Sequence, residues 1–228
     1  LYKRLNLSPL GAAAIAGSSF NINRERTSSL LGFDGIVENS IDAVSSRDVF
    51  LEIGSTLAIL MSNISRLAED IILWSSSEFG FLEVSDSYSS TSSIMPQKKN
   101  PCTIEMIRGG SGISYGELIN MLTIVKGSYT GYNRDFQRIK PALWKSLYNA
   151  SDSLIILQGV LENIGVNKDI MYSVAKNSFA LALDVAEYLV KHYSLSFREA
   201  HQILGNVVNN LVSNELKLKD ITSDMINK

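Results

Sequence analysis

The feature that most constrains the fold is an apolar heptad seam in the first half of the chain. Apolar residues recur there at alternating spacings of three and four: Phe50, Ile53, Leu57, Leu60, Ile64, Leu67, Ile71 and Trp74. This repeat places side chains along one stripe of an α-helix. We therefore predict a helix from about Ser46 to Ser76, long enough to span a helix bundle. Either a core helix of one domain or a helix that packs against other subunits fits the seam, and its length favours the second.

The remaining periodic segments also predict helices. We expect them at about 24–31, with Asn23 as cap and Gly32 as stop, and at about 101–126, 140–164, 171–192 and 197–213. Ser196 and Glu199 have the spacing of a capping box for the last of these helices. No alternating strand of useful length occurs, so the predicted fold class is all-α. The stretch Gly165–Asp169 predicts a boundary between a domain at 1–168 and a smaller C-terminal helical domain at 169–228.

Composition excludes several functional classes. The net charge is −2 and the pI is about 5.8, which predicts neither nucleic acid nor a membrane surface as a partner. No run of 18 apolar residues predicts a membrane span. Cys102 is the single cysteine, which favours a reducing, cytoplasmic location. No metal-ligand spacing and no nucleotide-binding glycine motif occurs, so we expect no metal and no cofactor.

The stretch from Tyr88 to Pro101 has the composition of an anion site. Hydroxyl residues lead through Ile94 and Met95 to Lys98, Lys99 and Asn100 and then to a predicted helix start. Backbone N–H groups at a helix N-terminus, with a nearby lysine, attract carboxylates or phosphates. The alternative is a solvated serine-rich loop with a chance lysine pair.

Several separated motifs resemble one family. "SSIMPQKKNP" is similar to the signature of the fumarase/aspartase superfamily, and Gln97 before the lysine pair resembles its argininosuccinate lyase branch. The family resemblance extends to four other stretches in the same order: "LLGFDGIVENSIDAVSSRD", "SRLAEDIILWSSSEFGF", "YNRDFQ" and "SFREAHQILG". It covers nearly the whole chain and implies a long-helix bundle of the fumarase/aspartase type.

The resemblance also implies a reaction and roles for residues. Argininosuccinate lyases convert argininosuccinate to arginine and fumarate by anti β-elimination, in homotetramers whose active sites are shared between subunits. By position, Ser92 matches the catalytic base, Lys98 the lysine that stabilises the aci-carboxylate, and Glu105 the partner of the family's catalytic histidine. The positions that match substrate-binding residues are Ser93, Asn100, Tyr132, Gln137 and Lys140.

Elementary chemistry agrees with these roles, although simpler interpretations stay open. A serine is a useful base only when its alkoxide is stabilised, which a lysine and helix-terminal N–H groups can do. Glu105 could instead only favour the first turn of its helix. Tyr132 could be a packing residue, Lys99 a solvated neighbour, and His201 a structural residue.

The chain departs from the family pattern in places. Thr91 stands where the signature has Gly, Cys102 where family members often have Asp, and Arg138 with Ile139 in place of an acidic pair. The family's N-terminal domain and central histidine motif would precede Leu1. We therefore expect the central and C-terminal part of such an enzyme, with signature loop 85–101, and whether it is active alone is open.

Two other functions fit the same residues. One is a non-catalytic, crystallin-like structural or binding protein on the same scaffold. The other is a related lyase that releases fumarate from a different substrate. Ser92, Lys98 and Glu105 favour an enzyme over the first, and Gln97 with "YNRDFQ" favours argininosuccinate over the second.

Overall fold

A computed structural model describes residues 1–95, 98–222 and 225 of the chain. Pro96 and Gln97, which carry part of the signature resemblance, lie outside the described residues. The helices are α1 (Tyr2–Leu5), α2 (Arg24–Leu30), α3 (Ser40–Ser45), α4 (Asp48–Trp74), α5 (Cys102–Val125), α6 (Ile139–Glu162), α7 (Lys168–Asn177), α8 (Ala182–Tyr193) and α9 (Phe197–Ser213). The all-α fold class is confirmed.

Extended structure is limited to pairs of two-residue strands in the described part of the chain. The strands are β1 (Leu7–Ser8), β2 (Gly35–Ile36), β3 (Leu82–Glu83), β4 (Ser90–Thr91), β5 (Lys99–Asn100) and β6 (Gly165–Val166). β1 and β2 are parallel, whereas β3 with β6 and β4 with β5 are antiparallel. Short 3₁₀ helices occupy Asp86–Tyr88, Arg134–Arg138, Phe179–Leu181 and Leu218–Asp220.

The chain divides into two compact units. The first comprises Leu1–Trp74 with Val84–Ile164, and the second comprises Ser75–Glu83 with Gly165–Lys228. This division differs from the predicted 1–168 and 169–228 chiefly at residues 75–83. Asn167 explains the difference, because its backbone N–H donates to the Phe81 carbonyl at 2.9 Å and its side-chain amide donates to the Gly80 carbonyl at 2.8 Å.

Three long antiparallel helices, α4, α5 and α6, form the core of the first unit. Glu69 on α4 accepts a hydrogen bond from Arg108 on α5 at 2.6 Å, whereas Gly54, near the other end of α4, lies against Met121. Between α5 and α6, Asn149 donates to the Gly110 carbonyl at 3.0 Å, and Lys145 donates to Glu117 at 2.7 Å. This last hydrogen bond lowers the pKa of Glu117. The pairs run in reverse order along each helix pair, which establishes the antiparallel arrangement.

The heptad seam is only partly buried. Leu57, Ile64 and Ile71 are buried, whereas Leu67 and Trp74 are 37% and 38% exposed. Residues one position after a seam residue are buried as well: Gly54, Ala58, Met61 and Ala68. Gly54 is buried because α5 approaches closely there, and a side chain at this position would collide with Met121. By length and composition alone α4 could also cross a membrane, a test that core helices of soluble proteins pass as well.

Helix ends were predicted well where capping residues mark them. Asn23 accepts from the Arg26 N–H at 2.8 Å, and Ser196 with Glu199 forms the predicted capping box. The single helix predicted at 171–192 is wrong, because the chain is extended at Ser178 and α7 ends there. The helix α3 lies where no helix was predicted, and the side chain of Asn39 caps it.

Gly159 on α6 is predicted to be intolerant of a side chain. A Cβ there would lie 2.7 Å from Tyr88 Cζ, so the Tyr88 ring would have to shift. We expect Gly159→Ala to lower the free energy of unfolding by about 1–3 kcal/mol through overpacking. Urea denaturation followed by circular dichroism measures this change.

The matched control is Gly205→Ala on α9, where a Cβ meets nothing within 4 Å. This replacement is expected to be neutral or to stabilise by up to about 1 kcal/mol, because alanine is the better helix former. Equal midpoints for the two variants would contradict the close contact between Tyr88 and Gly159.

Candidate active site

The signature stretch folds as a β-hairpin rather than as the predicted loop. Its two strands pair in the register Ser90 with Asn100 and Thr91 with Lys99. The Ser92 N–H donates to the Lys98 carbonyl at 3.2 Å, and the Lys98 N–H donates to the Met95 carbonyl at 3.0 Å. We call the segment from Ser90 to Asn100 the signature hairpin. It brings Ser92 and Lys98 together across its neck.

The Ser92 hydroxyl is surrounded by backbone donors. Its oxygen accepts from the N–H groups of Ile94 and Met95, both at 3.2 Å. Hydrogen bonds to the charged form of a group favour that form. The same two donors that stabilise the turn would therefore also stabilise a Ser92 alkoxide. Ser93 follows directly and is exposed at the tip.

Polar contacts fix the base of the signature hairpin. Lys99 Nζ lies 2.6 Å from Asp86 Oδ1, and the Thr103 hydroxyl donates to the Tyr88 carbonyl at 2.6 Å. Lys99 is solvent-exposed, as in the interpretation of a solvated neighbour, and it also forms this ion pair. Lys98 is exposed beside it. Of the two adjacent lysines, Lys99 holds the hairpin and Lys98 is available for a ligand.

The start of α5 follows the signature hairpin directly. Asn100 is half-buried in β5, and Glu105 is exposed in the first turn of α5. The N–H groups of Ile104 and Glu105 both donate to the Pro101 carbonyl at 3.0 Å. The pKa of Arg108 is raised, chiefly by its hydrogen bond to Glu69 and to a smaller degree by the charge of Glu105. Both simple first-turn stabilisation and a catalytic role remain compatible with this position of Glu105.

A second group of predicted residues lines one cavity of about 780 Å³ in the first unit. Tyr132, Gln137 and Lys140 all lie in its wall, and Tyr132 is 50% exposed. Arg47, for which the sequence suggested no role, lines the same cavity. A cationic wall with an amide and a phenol can bind carboxylate groups. No periodic pattern points to Arg47, because the other cavity residues named here come from a distant part of the sequence.

The two groups lie at opposite ends of the same bundle. The signature hairpin precedes the first residue of α5, and the cavity residues follow its last residue. The 24 residues of α5 span about 36 Å at 1.5 Å per residue. Ser92 and Lys98 therefore cannot contact a small molecule held in the cavity of the same chain.

Both histidines belong to the second unit. His192 on α8 lies 4.2 Å from the Tyr188 ring, centroid to centroid, and His201 on α9 lies 6.1 Å from the Phe197 ring. His201 also lines an apolar cavity of about 300 Å³ with Leu204. These surroundings agree with the structural interpretation of His201.

Two family models match the chain. A model described as "Lyase" matches residues 1–116, and one described as "Argininosuccinate lyase C-terminal" matches residues 179–228. An argininosuccinate lyase of Methanosarcina barkeri is 45% identical over 225 residues, which are 99% of this chain and 46% of that protein. The argininosuccinate lyase of Methanosphaera stadtmanae is 44% identical over 227 residues, which are 100% of this chain and 49% of that protein. The chain thus spans about half the length of the curated relatives it matches.

Solved structures show the same fold. A variant of EDDS lyase with bound fumarate superposes with a TM-score of 0.88 at 36% identity, covering 99% of this chain and 45% of that chain. A class II fumarase of Schistosoma mansoni has a TM-score of 0.74 at 16% identity, covering 91% of this chain and 47% of the fumarase chain. At that low identity the fumarase supports the fold alone.

Proposed function

This chain belongs to the fumarase/aspartase superfamily of lyases, and we propose that the protein containing it cleaves argininosuccinate to arginine and fumarate. The observation that carries the substrate is the identity of about 45% to argininosuccinate lyases along essentially the whole chain. The C-terminal match at 179–228, in the second unit, supports the same substrate independently of the signature.

In the proposed mechanism, Ser92 acts as the base. Its alkoxide removes a proton from the succinyl carbon next to a carboxylate, and the electron pair moves into that carboxylate to form an aci-carboxylate. The Ile94 and Met95 N–H groups, at 3.2 Å from the hydroxyl oxygen, lower the cost of the alkoxide. Lys98, whose backbone carbonyl accepts from the Ser92 N–H, would stabilise the aci-carboxylate with its positive charge.

Collapse of the aci-carboxylate completes the elimination. The electron pair forms the C=C bond of fumarate, the bond to the guanidino nitrogen breaks, and an acid protonates that nitrogen. Ser93 and Asn100 would bind the substrate from the signature hairpin, and Tyr132, Gln137 and Lys140 from the cavity. Glu105 would orient a catalytic histidine, the role that the family resemblance implies for its position.

We further propose that the site forms between copies of the chain in a homotetramer. The separation of about 36 Å along α5 supports this arrangement, because one copy cannot present both groups to one substrate. The outer surface of the bundle supports it too. Large apolar side chains are exposed there on all three long helices: Ile59, Met106, Ile119, Trp144 and Ile155. Gly109, Gly112 and Gly116 leave room for another helix to approach, since a Cβ at each meets nothing within 4 Å.

The test is release of fumarate, followed by ultraviolet absorbance, from argininosuccinate by the complete natural chain that contains this sequence. Turnover supports the proposal. If that protein is folded and releases no fumarate, the non-catalytic, crystallin-like alternative is favoured and the proposed reaction is wrong.

A second candidate is a lyase that releases fumarate from another amine adduct. The 36% identity and TM-score of 0.88 to EDDS lyase, a structure with bound fumarate, favour it. Competition between argininosuccinate and EDDS at equal concentration separates the two candidates. The first proposal predicts a higher kcat/KM for argininosuccinate, and a preference for EDDS would overturn it.

A further inference from the structure

Arg47 stands at the corner between α3 and α4. One of its terminal nitrogens donates to the Val44 carbonyl at 2.9 Å and to the Ser46 carbonyl at 2.6 Å. These carbonyls belong to the end of α3 and the residue after it, so they lack helical partners of their own. The guanidinium group therefore fixes the corner from which α4 starts.

The same guanidinium group contacts the segment that carries the cavity residues. Its carbon lies 4.4 Å from the centre of the Phe136 ring and 6.0 Å from that of Phe50. A cation at such a distance over an aromatic face is attracted to the ring. Phe136 is 5% exposed and packs in a core cluster with Met121 and Ile139. It directly precedes Gln137 in the 3₁₀ helix Arg134–Arg138.

The guanidinium group of Arg47 is held by backbone carbonyl groups and phenylalanine rings rather than by a carboxylate. In the described part of the chain, the ion pairs do not include Arg47. Burial lowers the pKa of Arg47, but an arginine side chain stays protonated in proteins. It lines the cavity of about 780 Å³ and, with Tyr132, also a neighbouring one of about 760 Å³. Arg47 and Tyr132 are thus shared wall residues of both cavities.

We propose that Arg47 is a positioning residue that holds the segment from Tyr132 to Lys140 in its binding geometry. It does so by joining the α3–α4 corner to Phe136, so that a shift of the guanidinium group moves Gln137 and its neighbours. This role rests on the proposed function, because it assigns Arg47 to the substrate-binding half of that site. Arg47 itself need not touch the substrate.

The first experiment measures fumarate release by the complete natural chain with Arg47→Met and Arg47→Lys. We expect Arg47→Met to raise KM about five- to twentyfold with kcat within about twofold, and Arg47→Lys to restore part of the loss. Phe136→Leu should raise KM similarly, and the double variant Arg47→Met/Phe136→Leu should be no worse than the worse single variant. Additive effects on KM would overturn the proposal.

The matched control is Arg24→Lys. Arg24 also donates to backbone carbonyls, those of Leu10 at 3.1 Å and Val37 at 2.8 Å, but in the described structure it makes no ring contact with Phe136. This control should leave KM within about twofold of wild type. If Arg24→Lys raised KM as much as Arg47→Met does, Arg47 would only stabilise the unit in a general way. That result would overturn its specific positioning role.

Hydrogen exchange does not depend on enzyme activity, so it tests the positioning role separately from the proposed reaction. Hydrogen exchange of the amides at 133–140 should become faster in Arg47→Met than in wild type, with the amides of α9 unchanged. Unchanged exchange at 133–140 would overturn the positioning role even if the enzyme is active. If exchange at 133–140 is faster in Arg47→Met but the wild-type protein releases no fumarate, the proposed function is refuted. The contact between Arg47 and Phe136 would still be supported.

Discussion

Ser92→Ala in the complete natural chain is expected to lower kcat for fumarate release by about 10²- to 10⁴-fold, the range that a positioned general base contributes. The substrate should still bind, because the side chains proposed to hold it are unchanged. KM should therefore change much less than kcat. Steady-state kinetics by ultraviolet absorbance at several argininosuccinate concentrations measures both constants.

The control for Ser92 must separate chemistry from turn formation. Its hydroxyl oxygen accepts from the Ile94 and Met95 N–H groups, so alanine also removes two hydrogen bonds of the turn. Asparagine can accept the same backbone donors in an Asx-turn but cannot serve as the base. Ser92→Asn should be as inactive as Ser92→Ala. An active Ser92→Asn would show that the hydroxyl only builds the turn, and the assignment of the base would be wrong.

Lys98→Met is expected to lower kcat by about 10²- to 10³-fold, the typical cost of removing one electrostatic group that stabilises a transition-state anion. In the proposed mechanism the positive charge acts chiefly on the aci-carboxylate, which carries one more negative charge than the substrate carboxylate. The loss should therefore appear more strongly in kcat than in KM.

Lys99→Met is the matched control for Lys98. The same side chain is removed one position later, where it pairs with Asp86 at 2.6 Å. An exposed ion pair contributes at most about 1 kcal/mol, so kcat should fall less than about tenfold. A larger loss of kcat in Lys99→Met than in Lys98→Met would contradict the division of roles between the adjacent lysines.

Local patterns in the sequence predicted the three long helices and the capped helix starts. The seam required a long helix, and Asn23, Ser196 and Glu199 marked helix starts because their side chains cap backbone groups nearby. Long-range packing was not predictable in the same way. The buried stripe of α4 includes Gly54 because α5 approaches closely there, and this approach is not encoded in α4 itself.

The candidate site shows the same limit. The family resemblance pointed to Ser92 and Lys98, but it did not reveal that a backbone hydrogen bond joins them across a hairpin. The strands β4 and β5 are short and polar, so they lack the alternation of apolar residues from which a strand can be predicted. Arg47 was missed because its contact with Phe136 joins residues 89 positions apart in sequence. Only the folded chain brings them together.

The most direct test of the central claim is complementation between two inactive variants. Ser92→Ala affects the end of the bundle with the signature hairpin, and Lys140→Met affects the end with the cavity. If each active site takes the two groups from different copies, co-refolded mixtures will contain sites in which both groups are intact. We expect the mixture to regain fumarate release far above the sum of the separate variants. A mixture that assembles into mixed oligomers but shows no more activity than that sum would contradict a site shared between copies.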